Sequence, residues 1–203
     1  MNIELLAAVI IGYFFGSIPF ALVIGKVFYQ KDIRNYGSKN LGGGNAGRVL
    51  GKKAGLSVMV LDILKVTLAI FFASLFCEKE LGMVVAGLAA AVGHCFPIFA
   101  RFKGGKAVAT MYGFLFGMVV VGGYSFWIFL FPLLVFLGVL YLWKIIALAS
   151  IISAVANTCF VAGMTESKPL FFAMVIFSVM IIVRHRKNIE RMIKKEENKI
   201  SWM

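Results

Sequence analysis

Acidic side chains are scarce in this chain. Nine Asp and Glu stand against twenty-one Lys and Arg, for a net charge of +12 over 203 residues. The acids form no cluster, so the sequence offers no carboxylate-lined metal site, and no Ser, His and Asp fall into an evident hydrolytic triad. Cysteine is rare too. Cys77, Cys95 and Cys159 make an odd count with no metal-ligand spacing, and each reads as a small apolar filler. Internal repeats, low-complexity tracts and signs of a second domain are absent, so 1–203 reads as a single domain. The N-terminus lacks a basic lead-in and a small-residue cleavage site, and its apolar run reads as a retained span rather than a signal peptide.

What the chain has in abundance is apolar sequence: 61% of residues are hydrophobic and the mean hydropathy is +0.93. Soluble domains carry about 45–50% apolar residues, so the composition is that of a membrane protein. The net charge of +12 does not point to nucleic acid, because the basic residues lie between apolar spans, where cytoplasmic anchoring accounts for them.

A membrane-crossing helix takes about 20 apolar residues. Seven runs qualify as all-α spans: 5–29, 54–76, 81–100, 107–121, 124–143, 145–164 and 170–183. The first is interrupted by Gly16-Ser17-Ile18-Pro19, which predicts a kink. The second contains Asp62 and Lys65, three apart and so on one helical face, which predicts a structural ion pair, with Lys65 also able to lean toward a site. His94 reads as a hydrogen-bonded helix-end residue, and Asn157 and Thr158 as interhelical hydrogen-bonding groups. Positive loops at 30–53, 101–106, 144 and 184–199 alternate with linkers at 77–80 and 165–168 that hold acids and few bases. The positive-inside rule then puts the N-terminus outside and the C-terminus in the cytoplasm.

That topology places three polar motifs on one face. The first is Gly37-Ser38-Lys39-Asn40-Leu41-Gly42-Gly43-Gly44-Asn45-Ala46-Gly47-Arg48. Glycines let backbone N–H groups approach an anion, Ser38, Asn40 and Asn45 add polar side chains, and Arg48 supplies a fork suited to phosphate. A plain interhelical turn is the competing reading of this loop taken alone. The second is Arg101-Phe102-Lys103-Gly104-Gly105-Lys106 at the start of an apolar helix, either cytoplasmic lysines obeying topology or an anion site. The third is the basic, polar tail opened by Arg184-His185-Arg186-Lys187-Asn188. Together they suit phosphorylated anions at a membrane surface, where an activated lipid donor and a soluble phosphate acceptor meet and the protein holds both in line. Polar residues concentrated at one face, rather than through the middle of several spans, favour interfacial chemistry over transport.

On these residues the chain resembles the bacterial acyl-phosphate:glycerol-3-phosphate acyltransferases (PlsY type). The resemblance runs through Gly12-Tyr13, Gly16-Ser17-Ile18-Pro19, the first motif, Gly51-Lys52-Lys53, Asp62 with Lys65, Gly93-His94 with Pro97, Phe102–Lys106, Val108-Ala109-Thr110, and Arg184-His185 with Asn188-Ile189 and Glu197. It implies a seven-helix enzyme of the bacterial cell membrane with its active site facing the cytoplasm. Such an enzyme transfers an acyl group from acyl phosphate to glycerol 3-phosphate, giving 1-acyl-glycerol-3-phosphate for phospholipid synthesis, without metal or cofactor. By resemblance, Ser38 and Arg48 are the essential pair of the first motif, and His185 and Asn188 are tail residues needed for activity. Asn40, Gly42, Asn45, Lys103, Gly104, Gly105 and Lys106 bind substrate, the 104–106 loop holding glycerol 3-phosphate, and Glu197 serves structural integrity. Five positions depart from the family pattern: Lys39 and Ala107 stand where glycine is usual, Gly43-Gly44 where Ala-Thr is usual, and Ala147 where serine is usual. They leave open a divergent paralogue or a non-catalytic lipid-phosphate binder.

Overall fold

The computed structural model describes residues 3–77 and 80–200, and among these all regular structure is helical. Glu78 and Lys79 of the expected 77–80 linker lie outside the described residues. The chain packs as two units, Met1–Gly123 and Tyr124–Met203, where the sequence reads as one domain.

The first unit contains α1 (Ile3–Ser17), α2 (Phe20–Tyr29), α3 (Gly43–Leu50), α4 (Lys52–Ser74), α5 (Glu80–Cys95) and α6 (Val108–Val120). The expected kink at Pro19 is a complete break between α1 and α2. Proline has no N–H to continue the ladder, and the helix restarts with the Pro19 carbonyl accepting from Leu22 and Val23 N–H at 2.8 and 3.0 Å. The break leaves the Ile18 carbonyl to accept from a side chain, the Lys65 ammonium at 2.9 Å. α4 is the central element and packs on α1, α3, α5 and α6, while α1 lies along α5 with Gly12 and Gly16 set against Ala86 and Ala90. Small residues at such seams let membrane helices approach closely. Val66, Ile70, Phe114, Leu115 and Met118 are fully buried in this unit.

One element contradicts the sequence reading. Residues 43–50 fall in the expected loop 30–53, yet they form α3. Gly43, Gly44 and Gly47 argue against a helix, since each glycine costs about 1 kcal/mol relative to alanine. Packing outweighs propensity here. α3 lies so close to α4 that a methyl on Gly55 would sit 2.6 Å from the Gly47 Cα and 2.9 Å from the Gly43 carbonyl oxygen. Ala46 and Leu41 are buried with Ile33, Ala54 and Val58 in a small core beneath the loop.

The second unit contains α7 (Trp127–Trp143), α8 (Ile146–Met164), α9 (Lys168–Arg184) and α10 (Arg186–Ile193). The tight turn at Lys144 uses a left-handed backbone, φ 59°, to reverse the chain between α7 and α8. Thr158 fulfils its expected interhelical role, donating to the Met174 carbonyl at 3.1 Å and meeting Ser178 Oγ at 2.8 Å. Ser167 caps α9 by accepting from Leu170 N–H at 3.1 Å, with Pro169 in the first turn. The basic tail is not irregular at its start: α10 follows α9 with a bend of 59°.

The chain is an all-helical integral membrane protein. Ile3–Tyr29, Lys52–Ser74, Glu80–Ala100 and Ile146–Met164 are long and apolar enough to cross a bilayer, and the bent pair Lys168–Arg184 and Arg186–Ile193 makes a fifth when counted as one span. Val108–Val120 and Trp127–Trp143 are shorter apolar helices. Cys77 and Cys95 are buried as fillers, whereas Cys159 is exposed on α8.

Candidate functional site

The first motif is a tied-down loop, not a slack turn. Its entry is fixed by Asp32, which caps a short 3₁₀ turn at Ile33–Asn35 by accepting from Arg34 N–H at 3.0 Å. The Arg34 guanidinium closes on the same carboxylate at 2.6 Å, and that hydrogen bond pulls the Asp32 pKa down to about 2. Asn45, buried in the first turns of α3, holds the middle. Its Oδ1 accepts from Ser38 N–H at 2.8 Å, and its Nδ2 donates to the Ile33 and Tyr36 carbonyls at 3.2 Å each. Both amide donors of Asn45 are therefore engaged by the loop backbone. Ser38 and Arg48, ten residues apart, are brought together with Arg48 Nη2 donating to Ser38 Oγ at 3.3 Å, and both are exposed. Asn40 is half-buried with its Nδ2 beside Gly42.

The second motif is built differently. After Pro97, a 3₁₀ turn at Ile98–Ala100 leads through Arg101 and Phe102, both left-handed, back to the end of α5. Gly105 N–H donates to the His94 carbonyl at 3.0 Å. Gly104 and Gly105 are buried so tightly that a Cβ on the first would meet the His94 carbonyl oxygen and one on the second the His94 Nε2. Glycine is required here by close approach. Lys103 is exposed, Lys106 is half-buried, and α6 begins directly after with Ala107 at its N-cap offering no side-chain hydrogen bond.

Behind this loop lies a buried polar cluster. Asp62 and Lys65 of α4 form the expected ion pair at 2.7 Å with side-chain exposures of 2% and 1%. Lys65 Nζ also meets Ile18 O at 2.9 Å and His94 Nδ1 at 3.1 Å. An ammonium has three N–H donors and no acceptor, so these three partners satisfy it completely. The same count assigns the His94 tautomer from its partners: Nδ1 bears the lone pair and Nε2 the hydrogen. The distance from Nδ1 to Asp62 Oδ1, 3.6 Å, is too long to compete as a hydrogen bond.

In the second unit, His185 is buried at the junction of α9 and α10, with its Nδ1 2.8 Å from the Ile181 carbonyl oxygen. A carbonyl only accepts, so Nδ1 is the donor there. Asn188, one turn on and also buried, donates to Glu197 Oε1 at 2.6 Å, and Arg191 Nε donates to Glu197 Oε2 at 2.6 Å. Glu197 thereby clamps the tail to α10, and Ile200 N–H donates to the Lys144 carbonyl at 2.8 Å beyond it.

Two of the departures from the family pattern fall on special backbone. Lys39 and Ala107 both have left-handed conformations, φ 59° and 62°, which glycine adopts without strain and other residues at about 1–2 kcal/mol. Gly43 is close to α4, where a methyl would meet the Gly55 carbonyl oxygen at 2.8 Å. Ala147 is buried in the first turn of α8. The sequence reading missed the position of His94 over Gly105, because no local spacing links a helix end to a loop eleven residues on.

The profile of the family described as glycerol-3-phosphate acyltransferase matches residues 6–195. A glycerol-3-phosphate acyltransferase of Staphylococcus haemolyticus is 42% identical, the match covering 96% of each chain. One of Bacillus cytotoxicus is 44% identical over 95% of this chain and 93% of its own. Among solved structures, PlsY, an integral membrane glycerol 3-phosphate acyltransferase, superposes in its glycerol 3-phosphate form with a TM-score of 0.87, at 36% identity and covering 97% of this chain and 96% of that one. Its lysophosphatidic acid form gives 0.85 at 34% identity, covering 97% and 95%. The fold and the matches along nearly the whole chain agree: this protein belongs to the glycerol-3-phosphate acyltransferase family.

Proposed function

We propose that the protein transfers an acyl group from acyl phosphate to the 1-hydroxyl of glycerol 3-phosphate, giving lysophosphatidic acid for bacterial phospholipid synthesis. The hydroxyl oxygen attacks the acyl carbonyl carbon, the bond from that carbon to the phosphate oxygen breaks, and inorganic phosphate leaves with the hydroxyl proton. The observation that carries this reading is the pair of anion-suited loops in one unit: Ser38 joined to Arg48, and buried Gly104 and Gly105 with Lys106 before the uncapped start of α6. An acyl phosphate is already activated, so neutralising its phosphate and aligning the acceptor supply the main requirements.

In this reading Ser38 and Arg48 serve the acyl phosphate, with Asn40 and Gly42 lining that loop and Asn45 acting by holding Ser38 in place. Lys103, Gly104, Gly105 and Lys106 take the phosphate of glycerol 3-phosphate, where the start of α6 and a positive side chain act together. His185 and Asn188 are required for turnover, and residues 1–203 work as one acyltransferase domain. Seven spans, with the N-terminus outside and the loops at 37–48 and 101–107 in the cytoplasm of a bacterial cell, agree with the loop charges. The replaced residues Lys39, Gly43, Gly44, Ala107 and Ala147 favour, as a second reading, a paralogue with altered substrate preference.

Lys106→Met tests the assignment. It is expected to raise KM for glycerol 3-phosphate more than KM for acyl phosphate. An equal rise in both reduces Lys106 to a general electrostatic effect, and a rise for acyl phosphate alone reverses the two loops.

A further inference from the structure

Three observations converge on His94. Lys65 donates to its Nδ1 at 3.1 Å, so its ring hydrogen is on Nε2. That Nε2 occupies the space in which a Gly105 side chain would stand. The His94 carbonyl accepts from Gly105 N–H at 3.0 Å, so ring and backbone of one residue both hold the same glycine. Asp62 and Lys65 sit on α4, His94 ends α5 and Gly105 precedes α6, so the cluster joins three helices at one point.

We propose that His94 is the positioning residue of the 103–106 loop: the buried Asp62–Lys65 pair fixes it as the Nε2–H tautomer, and that edge of the ring sets where Gly105, and with it the anion-binding backbone, stands. This rests on the reading of the loop as the glycerol 3-phosphate site. Lys65 is held by Asp62 on one side and the Ile18 carbonyl on another, so the ring it addresses has little freedom to turn. The helix break at Pro19, which exposes that carbonyl, thereby contributes to a loop more than eighty residues later in the chain.

The amide substitutions separate this role from mere satisfaction of Lys65. His94→Asn keeps an acceptor near the Nδ1 position and loses the reach to Gly105. His94→Gln places an N–H donor near the Nε2 position. The expected result is an increase of about tenfold or more in KM for glycerol 3-phosphate with His94→Asn, which withdraws the ring edge from against Gly105, with kcat and KM for acyl phosphate within about threefold. His94→Gln is expected to stay within about threefold of the parent in all three constants. A parental KM for glycerol 3-phosphate in His94→Asn, an equal rise in both KM values, or a Gln variant worse than Asn overturns the proposal. Should His94→Asn fail to accumulate, Gly105→Ala addresses the same contact from the other side without touching Asp62 or Lys65. Its methyl is expected to raise KM for glycerol 3-phosphate about tenfold or more, and a parental value overturns the proposal. Lys106→Met, assayed in parallel, separates the two levels. If it raises KM for glycerol 3-phosphate while His94→Asn does not, the positioning role falls and the loop assignment stands; if neither does, both fall.

Discussion

His94 and His185 each stand at the C-terminal end of a long apolar helix, and each is buried. Their Nδ1 atoms meet opposite partners: the donor Lys65 for His94, and the acceptor Ile181 carbonyl for His185. The neutral rings are therefore opposite tautomers, one presenting N–H at Nε2 and the other a lone pair. The first lies against Gly105 and is suited to hold structure. The second has its Nδ1 hydrogen committed to the Ile181 carbonyl. The tautomer, and so the chemistry, is set by which neighbour reaches Nδ1, and the residue type alone does not reveal it.

The largest expected difference between the two is in kind. His185→Ala should lower kcat by about 10²-fold or more while the protein still accumulates, since the loss falls on turnover and the capping backbone N–H of residue 185 is kept. A variant with near-parental kcat would remove His185 from the reaction and break the contrast with His94. Lys65→Met, on the His94 side, should instead show as instability. It leaves Asp62 buried with no cation, a loss of about 3–5 kcal/mol. Thermal unfolding in detergent checks this, and a midpoint equal to the parent's would mean the cluster holds nothing together.

Next in size is Glu197→Gln. It weakens two 2.6 Å charge-assisted contacts, to Asn188 and Arg191, at about 1.5–3 kcal/mol for such a bond. Protease sensitivity of the C-terminal tail should rise before activity falls; activity lost with the tail still protected would assign Glu197 to the chemistry instead. The smallest effect is expected from Ala107→Gly. Relief of a left-handed alanine is worth about 1–2 kcal/mol, offset by about 0.4–1 kcal/mol from the looser unfolded chain. A small rise in thermal midpoint is the expected outcome, and a fall would show that the Ala107 methyl packs better than its backbone strains.

The four long apolar helices Ile3–Tyr29, Lys52–Ser74, Glu80–Ala100 and Ile146–Met164 were legible because length and apolarity suffice to mark a span, while Val108–Val120 and Trp127–Trp143 fall short of the length the seven-span reading gave them. The Asp62–Lys65 pair was legible because i,i+3 spacing puts two side chains on one face. α3 was not legible. Its glycines weaken the helix locally, and what stabilises it is Gly55 and the residues around it on α4, a contact visible only once the chain is folded. Asn45 shows the same limit at the site. Its residue type suggests an anion ligand, while its place beneath the loop commits its amide to Ile33, Tyr36 and Ser38. The unusual Lys39 and Ala107 could be spotted as replaced glycines, but their positive φ, the reason glycine is usual there, belongs to the backbone. His94 was readable as a helix-end residue and no further, since its partners come from α4 and from the loop before α6.

The most direct measurement is the reaction itself. Purified protein in detergent or bilayer is given acyl phosphate and glycerol 3-phosphate, and lysophosphatidic acid and inorganic phosphate are followed together. Equimolar formation of the two, dependent on both substrates and abolished by Ser38→Ala or Arg48→Ala, is the expected result. Binding of glycerol 3-phosphate with no product from acyl phosphates of any chain length would contradict it, and would leave a membrane protein that holds a lipid phosphate without transferring an acyl group.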